Sequence, residues 1–312
     1  MFREKLTLKK IIAILGLFGG LVWLAVFSFP DEKLHLVFCD VGQGDAILVS
    51  KGLDQILIDG GPNDKVLQCL SQNMPLFDRT VEMVVLTHPE ADHLTGLIPV
   101  MDKYKVQMFL AGPEGNTTAA YASLTEKLQS FCRVSPCEPP RGRLANPYAG
   151  EKIKLGEITM ETLWPEREWV ISKLSNYPIA NYKSSQEGAV LGATTNHAKL
   201  NDFSLVFLLK YKNLAVLLMG DADAKIQDEI MTASPLEEVD ILKFPHHGSK
   251  TGIREDFLQK ISPKEAVISV GKNSYGHPSK EALDLLEKYG VTVKRTDLEG
   301  DIKMVLDEKR GF

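Results

Sequence analysis

The sequence has few cysteines and no strong charge bias, and both features narrow what the protein could be. Its four cysteines do not form the C-x-x-C spacing of zinc-binding or thioredoxin-like motifs. Cys132 and Cys137 could close a small disulfide, and two free buried thiols are an equal alternative. The net charge of −5 becomes about −8 without the basic first 30 residues, so composition does not favour indiscriminate nucleic-acid binding.

Internal repeats and a nucleotide-binding loop are also missing. The absence of any repeat of 20–50 residues excludes a solenoid. The turn Asp40–Asp45 holds two glycines, but it lacks the Gly-Lys-Ser/Thr ending of a phosphate loop and precedes a strand instead of a helix. With 312 residues, 44% of them hydrophobic, the chain is long enough for one large domain or two ordinary ones.

One long hydrophobic run stands near the N-terminus. Ile11–Phe29 is 19 residues without a charge, and it follows the basic residues Arg3, Lys5, Lys9 and Lys10. This pattern predicts a membrane-spanning helix with a cytoplasmic N-terminus and all residues after about 31 outside the cytoplasm. A cleaved signal peptide is the alternative. We therefore divide the chain into an anchor, 1–33, and a folded domain, 34–312.

The stretch Thr87–Gly96 concentrates side chains that bind metals. His88, Glu90, Asp92 and His93 lie within six positions. The apolar run before them predicts a buried strand, and the spacing after them predicts a helix, so the cluster lies on a strand-to-helix loop. Imidazole and carboxylate together suit Zn, Mn or Fe. A polar loop that caps a helix is the alternative interpretation.

Other histidines and carboxylates also come directly after apolar strands. Of the seven histidines, five occupy such positions, namely His88, His93, His246, His247 and His277. Asp59 and Asp221 end strands in the same way, and Asp59 is either a turn former or a partner that orients a ligating histidine. This pattern favours one shared site.

The order of elements indicates two sheets. Strands and helices alternate in two halves, 34–163 and 203–312, which two stacked sheets with helices outside would satisfy. Between them, Trp164–Leu200 has few apolar residues and no sustained period. We interpret this segment as a flap over the site.

The ordered motifs resemble those of the metallo-β-lactamase superfamily. They are His88-Pro-Glu-Ala-Asp92-His93, Gly220-Asp221 and Pro-His246-His247-Gly-Ser. Together with Asp40-Val-Gly-Gln-Gly-Asp45, Leu57-Ile-Asp59-Gly-Gly and Tyr275-Gly-His277-Pro, they are similar to the metallo-β-lactamase domain of ComEC-type competence proteins. The resemblance implies an αββα four-layer sandwich, an α/β fold, with a metal pair at one edge.

The resemblance also implies roles for individual residues. His88 matches a ligand of the first metal, Asp92 and His93 match ligands of the second, and Asp221 matches the carboxylate that bridges both ions. One of His246 and His247 completes the second site. The remaining matches are to residues that support the ligands or face the substrate: Asp40, Asp45, Asp59, Asn201, Ser204 and His277.

Two departures from the superfamily pattern affect the expected metal. Position 90 is Glu where the superfamily has His, and the histidine expected before the strand Phe203–Lys210 is missing. Asn201 is the nearest match to that histidine, and His197 is a looser one. Oxygen ligands in place of imidazoles favour Mn or Mg over Zn, so we expect one or two divalent ions.

The resemblance implies metal-assisted hydrolysis of a phosphodiester, with DNA as the substrate. Asp92 or Asp221 would orient the attacking water, and His277 would contact the phosphate or protonate the leaving group. Lys243, Lys250 and Lys272 lie near the motif loops and could meet phosphates, although a solvated surface role suits each of them better. The alternatives are hydrolysis of a small or cell-envelope phosphoester or ester, and a non-catalytic binding or DNA-uptake accessory.

Overall fold

The computed structural model describes residues 7–133, 144–174, 192–193 and 199–306, with the side chains of 21–28 and 131–133 left out. Most of the predicted flap, including 175–191 and 194–198, therefore lies outside the described residues. His197 and Cys137 lie outside them as well.

Within the described residues, the strands build two seven-stranded sheets. The first sheet has the order β14-β1-β2-β3-β4-β5-β6, and the second has the order β13-β12-β11-β10-β9-β8-β7. Their bounds are β1 Leu34–Phe38, β2 Ile47–Lys51, β3 Asp54–Ile58, β4 Thr80–Leu86, β5 Lys105–Ala111, β6 Leu144–Ala145, β7 Lys152–Leu155, β8 Ile158–Trp164, β9 Val206–Tyr211, β10 Leu214–Leu218, β11 Ile241–Lys243, β12 Glu265–Ile268, β13 Thr292–Arg295 and β14 Ile302–Leu306.

Apart from α1, which precedes β1, the helices among the described residues lie between strands along the chain. Their bounds are α1 Leu8–Ser28, α2 Lys65–Asn73, α3 Ala91–Leu94, α4 Leu97–Lys103, α5 Ala119–Arg133, α6 Arg167–Lys173, α7 Gln227–Ala233, α8 Glu255–Ile261, α9 Lys280–Lys288 and α10 Thr296–Glu299.

Three apolar layers show how the sheets and helices stack. Leu57 and Val84 of the first sheet pack with Leu70 of α2 and Leu124 of α5. The opposite faces of the two sheets pack on each other through residues such as Phe207. A third layer joins the second sheet to α7, α8 and α9. The α/β two-sheet sandwich predicted from the sequence is therefore confirmed.

The two halves of the chain do not correspond one to one to the two sheets. Strands β7 and β8 pair with β9 in the second sheet, although they lie in the first half of the chain. The last strand, β14, pairs antiparallel with β1 in the first sheet. Sequence order does not determine which sheet a strand joins, because a connection can cross from one sheet to the other.

Parallel pairing brings the predicted ligand loops to one edge. Ile58 of β3 lies beside Val85 of β4, so Asp59 and His88 follow neighbouring strand ends. In the second sheet Leu218 of β10 lies beside Lys243 of β11, and the loops with Asp221 and His247 follow in the same way. The carboxyl ends of parallel strands are a usual location for a site in α/β sheets.

The predicted membrane span at Ile11–Phe29 is wrong. The run does form a helix, α1, whose first turn carries Lys9 and Lys10. A bilayer-spanning helix needs about 20 consecutive, mostly apolar residues. In the part of the chain that the structure describes, no helix meets that requirement of length and apolarity. The single-pass topology that we predicted from this run is corrected accordingly, and the domain boundary at residue 33 stays a prediction.

A disulfide that the sequence did not predict joins the first sheet to α2. Cys39 follows β1, Cys69 lies in α2, and their Cα atoms are 5.9 Å apart. Both side chains are buried. The alternative pairing of Cys132 with Cys137 falls on side chains outside the described residues.

We expect reduction of this disulfide to lower the free energy of unfolding by about 2–4 kcal/mol, because the bond closes a loop in the unfolded chain. The loop spans a sequence separation of 30 residues. Urea unfolding of the oxidised and the fully reduced protein measures the difference. The variant Cys39→Ser/Cys69→Ser is the control, since reductant should not change its midpoint. Equal midpoints for the oxidised and reduced parent would contradict the expectation.

Candidate metal centre

A buried carboxylate organises the ligand loop between β4 and α3. Asp59 accepts hydrogen bonds from the Thr87 amide and hydroxyl, each at 2.8 Å. It also accepts from Nδ1 of His93 at 2.8 Å. That bond leaves Nε2 of His93 as the ring atom available to a ligand, since a ligating histidine is commonly held through its other nitrogen.

Four side chains from both sheets converge in front of this loop. The ligand atoms of Asp92, His93, Asp221 and His247 all lie within 4.8 Å of one another. Nε2 of His93 is 3.4 Å from Oδ1 of Asp221, and Nε2 of His247 is 3.3 Å from Oδ2 of Asp92. Two imidazoles and two carboxylates at such distances could hold one divalent ion.

Unusual backbone conformations aim the two ligands of the second sheet. The Asp221 amide donates to Oγ of Ser204 at 3.0 Å, directly after Gly220, whose φ is +49°. A Cβ at Gly220 would lie 2.2 Å from Oγ of Ser204, so the position requires glycine. His247 has a φ of +53°, and its Nδ1 donates to the Ser269 carbonyl at 2.9 Å. Left-handed backbone in a non-glycine residue costs energy and is concentrated at functional sites.

Buried atoms without hydrogen-bond partners fit a metal at this point. Among the described side chains they include Nε2 of His88, His93 and His247 and Oδ1 of Asp221. Buried polar atoms are normally paired, so a cluster of unpaired ones needs an explanation such as a bound ion. The donors are imidazole nitrogens and carboxylate oxygens, which match Zn or Mn.

His88 and Glu90 lie beside the four-residue group. The ring of His88 is 4.2 Å from that of His93, measured between centroids. Oε2 of Glu90 is 3.9 Å from Nε2 of His88, and this carboxylate is half-exposed. Both residues thus border the four-residue group, and their role as ligands of a second ion stays a prediction.

The protonation of the four-residue group is set by its own charges. Burial lowers the pKa of His247, but Asp221 and Asp45 outweigh it and raise that pKa to about 10. Burial also opposes protonation of His93, yet Asp221 and Asp59 raise its pKa well above the usual range. Burial instead dominates at His88 and lowers its pKa to about 3. At neutral pH the metal-free cluster therefore holds His93 and His247 protonated and His88 neutral.

We expect metal binding near pH 7 to release about two protons, one each from His93 and His247, because a ligating imidazole nitrogen cannot keep its proton. Affinity for Mn²⁺ or Zn²⁺ should then rise with pH as far as the pKa of His247, about 10. Calorimetric titration in buffers with different ionisation enthalpies measures the released protons. His247→Asn should reduce the number to about one, and binding without proton release would contradict this account.

A buried lysine lies behind the group. Lys243 is 0% exposed, forms an ion pair with Asp45 and donates to the Gly220 carbonyl at 3.0 Å. Its Nζ is also 3.8 Å from Oδ1 of Asp221. Burial opposes ionisation of Asp45, but Lys243, His247 and His93 together outweigh it and lower the pKa of that carboxyl. Lys243 therefore cannot meet a substrate phosphate, as the sequence analysis had considered, and it neutralises a carboxylate under the centre instead.

Lys243→Met should destabilise the metal-free protein by about 3–5 kcal/mol, since it leaves the Asp45 carboxylate buried without its cation. Lys243→Met/Asp45→Asn should recover part of the loss, because the unpaired charge is then gone. Urea unfolding compares these variants. Lys272→Met, which removes an exposed lysine, is the matched control and should change stability by less than about 0.5 kcal/mol. Equal losses in the single and double variants would count against the pairing.

The other predicted site residues are distributed around the group. His246 is half-buried beside His277, with ring centroids 5.6 Å apart. The structure therefore places His247 in the group and His246 on its half-exposed outer side. Asn201 is buried in a short turn that ends at Ser204. Asp40 lies apart from the group, where its amide donates to Asp301.

Gly44 in the turn Asp40–Asp45 permits close packing. The Asp45 amide donates to the Asp92 carbonyl at 3.2 Å, so this turn contacts the ligand loop. A Cβ at Gly44 would lie 2.2 Å from that carbonyl oxygen. Glycine at 44 thus permits the approach that brings Asp45 under the ligands.

Sequence reasoning missed Thr87, the Ser269 carbonyl and the buried position of Lys243. Thr87 joins Asp59 to His88, since its hydroxyl is 3.1 Å from Nδ1 of His88. A signal for Lys243 existed, because a lysine within the apolar run Val239–Phe244 must reach either the surface or a buried anion. Nothing in the sequence marked the Ser269 carbonyl.

Comparison with known proteins identifies relatives along almost the whole chain. The chain is 24% identical over 303 residues to ComE operon protein 3 of Bacillus subtilis (strain 168), covering 96% of this chain and 37% of that protein. It is 32% identical over 296 residues to competence protein ComA of Neisseria gonorrhoeae, covering 93% of this chain and 35% of that protein. These homologues are of the ComEC type, which confirms the resemblance seen in the motifs. The chain spans about a third of the length of each.

A solved structure identifies the fold. The metallo-β-lactamase fold protein YhfI from Bacillus subtilis matches 88% of this chain and 100% of its own, with a TM-score of 0.51 and 12% sequence identity. The chain has a metallo-β-lactamase fold. No protein-family model matches the sequence. In this metallo-β-lactamase fold the four-residue group lies at the edge where both sheets end, and the group could hold a divalent ion whose identity the comparisons leave open.

Proposed function

We propose that the protein is a metal-dependent phosphodiesterase that cleaves DNA. The observation that carries the proposal is the convergence of Asp92, His93, Asp221 and His247, with unpartnered buried nitrogens directed at one point. Such a site is expensive to build without a ligand. The metallo-β-lactamase fold and a homologue named for competence, a process in which cells take up DNA, support the choice of substrate.

The site residues would divide into ligands of two divalent ions. Asp92, His93, Asp221 and His247 would hold one divalent ion, and His88 and Glu90 would hold a second that shares Asp221. A divalent cation held there would supply Lewis acidity, polarising a phosphoryl oxygen and lowering the pKa of water.

Asp92 is the group best placed to handle the proton of the attacking water. Its side chain is 32% exposed, the most open of the four. Burial opposes its ionisation, but the nearby rings of His247 and His93 together outweigh burial and keep the pKa of Asp92 well below its usual range. It therefore stays ionised and can accept a hydrogen bond from water in the open part of the site.

His277 lies beside His246 on the half-exposed outer side of the four-residue group, where the leaving group would depart. It is half-buried, and burial lowers its pKa from the usual value near 6.5. The imidazole is then neutral near pH 7, and its N–H can donate to a phosphate or leaving oxygen.

Cleavage of single-stranded DNA by the full chain with Mn²⁺, Zn²⁺ or Mg²⁺ tests the proposal. Asp92→Asn should lower kcat/KM by about 10²–10⁴-fold, the usual range for loss of a group that handles a proton, and should reduce bound metal measured by mass spectrometry. Asp64→Asn, the same change at an exposed carboxylate, is the matched control and should retain both.

Each alternative has a distinct outcome. Turnover of bis(p-nitrophenyl) phosphate without cleavage of DNA would replace the nuclease by an esterase of small phosphodiesters. Metal binding without any turnover would favour a binding module. Equal activity in the parent and Asp92→Asn would refute the site assignment.

A further inference from the structure

An exposed aromatic ring stands beside the metal centre without a role in the chemistry above. Tyr275 is 75% exposed. It lies on the loop between β12 and α9 that also carries His277. One exposed ring is ordinary on a protein surface, so its position next to the site is what indicates a partner.

The loop that carries Tyr275 is braced, so the exposure does not reflect loose chain. The side-chain Nδ2 of Asn273 donates to the carbonyls of Gly271 and His277, each at 2.8 Å. Its side-chain oxygen accepts from the amides of Tyr275 at 3.0 Å and His277 at 3.1 Å. One asparagine side chain thus ties both ends of the loop and sets the backbone that bears the ring.

Tyr275 ends a row of rings that begins at the metal centre. The ring centroids of His247 and His246 are 6.3 Å apart, those of His246 and His277 are 5.6 Å apart, and those of His277 and Tyr275 are 5.8 Å apart. The planes of Tyr275 and His277 differ by 36°, and Tyr275 is the exposed member of the row, since His246 and His277 are half-buried and His247 is buried. The ring of Tyr275 is thus one ring-to-ring step, 5.8 Å, from His277, the residue that would contact the phosphate.

We propose that Tyr275 is a stacking platform for a nucleobase next to the scissile phosphate, which makes unpaired nucleic-acid strands the substrate class. The inference rests on the proposed phosphodiesterase function. Bases of every kind have a flat face that stacks on an aromatic ring, so the platform reads no sequence. A base inside a duplex has both faces covered by its neighbours, so only an unpaired or splayed base reaches the ring.

Binding of a tetranucleotide that contains 2-aminopurine tests the platform, because stacking quenches the fluorescence of this base. The full chain is titrated in EDTA, so that neither metal loading nor turnover is needed. We expect the dissociation constant of the tetranucleotide to be about 5- to 100-fold higher for Tyr275→Ala than for the parent, the range for loss of one base–aromatic stack. Tyr275→Phe, which keeps the ring, should remain within about twofold of the parent.

An abasic tetranucleotide of equal length and charge is the control ligand. Used as a competitor, it should bind the parent, Tyr275→Phe and Tyr275→Ala equally and more weakly than the base-containing strand binds the parent. The platform is overturned if the parent shows no quenching, if Tyr275→Ala binds like the parent, or if the abasic strand binds as tightly as the other. Thermal unfolding of Tyr275→Ala, an exposed substitution, should match the parent.

The failure of this inference differs from the failure of the proposed function. Metal-dependent cleavage of the abasic strand by the parent depends on the phosphodiesterase proposal alone. If the parent cleaves the strand but Tyr275→Ala binds it as tightly as the parent does, only the platform is refuted. Binding that depends on the ring, without cleavage of any phosphodiester, would refute the phosphodiesterase and leave a strand-binding surface.

Discussion

The carboxylate of Asp59 is the constraint on which the centre depends. It is buried at the end of β3 and accepts three hydrogen bonds from the loop after β4, two from Thr87 and one from His93. Those bonds hold the backbone at Thr87 and turn the ring of His93, so Nε2 faces the residues of the second sheet. Without these hydrogen bonds, the side chains of the ligand loop could adopt other rotamers. Ligands misplaced by about 1 Å lose much of their function.

A second requirement is charge balance where the two sheets meet. Asp45, Asp92 and Asp221 approach one another closely, and burial makes the repulsion between their charges stronger than it would be in water. The metal-free protein offsets this with the fixed cation of Lys243 and with protons on His93 and His247. A divalent ion would replace the two histidine protons but not the lysine. Metal loading is therefore linked to pH, while the ion pair between Lys243 and Asp45 stays unchanged.

Local pattern was sufficient for the main elements and for the loop that carries most of the ligands. The apolar run before His88 predicts β4, and the helical spacing after the cluster matches α4. The predicted helix is divided into α3 and α4 at the point where Gly96 packs against the backbone of Gly60. That contact joins residues 36 positions apart, so no local period contains it.

The membrane span was the main error. Its basis was a charge-free run alone, and the helix that forms there does not meet the length and apolarity of a span within the described residues. The resemblance to ComEC-type proteins, by contrast, was carried by several motifs in a fixed order and agrees with the homologues found.

The sequence by itself determined which residue types end the buried strands, and therefore that a metal site of imidazoles and carboxylates was to be expected. Only the tertiary structure decided between His246 and His247, because both share one motif and a left-handed backbone, whereas His247 alone has its ring in the four-residue group. It also decided that Cys39 pairs with Cys69 and that Lys243 lies buried against Asp45. These contacts join residues distant in sequence, and their geometry depends on how the two sheets and their helices pack.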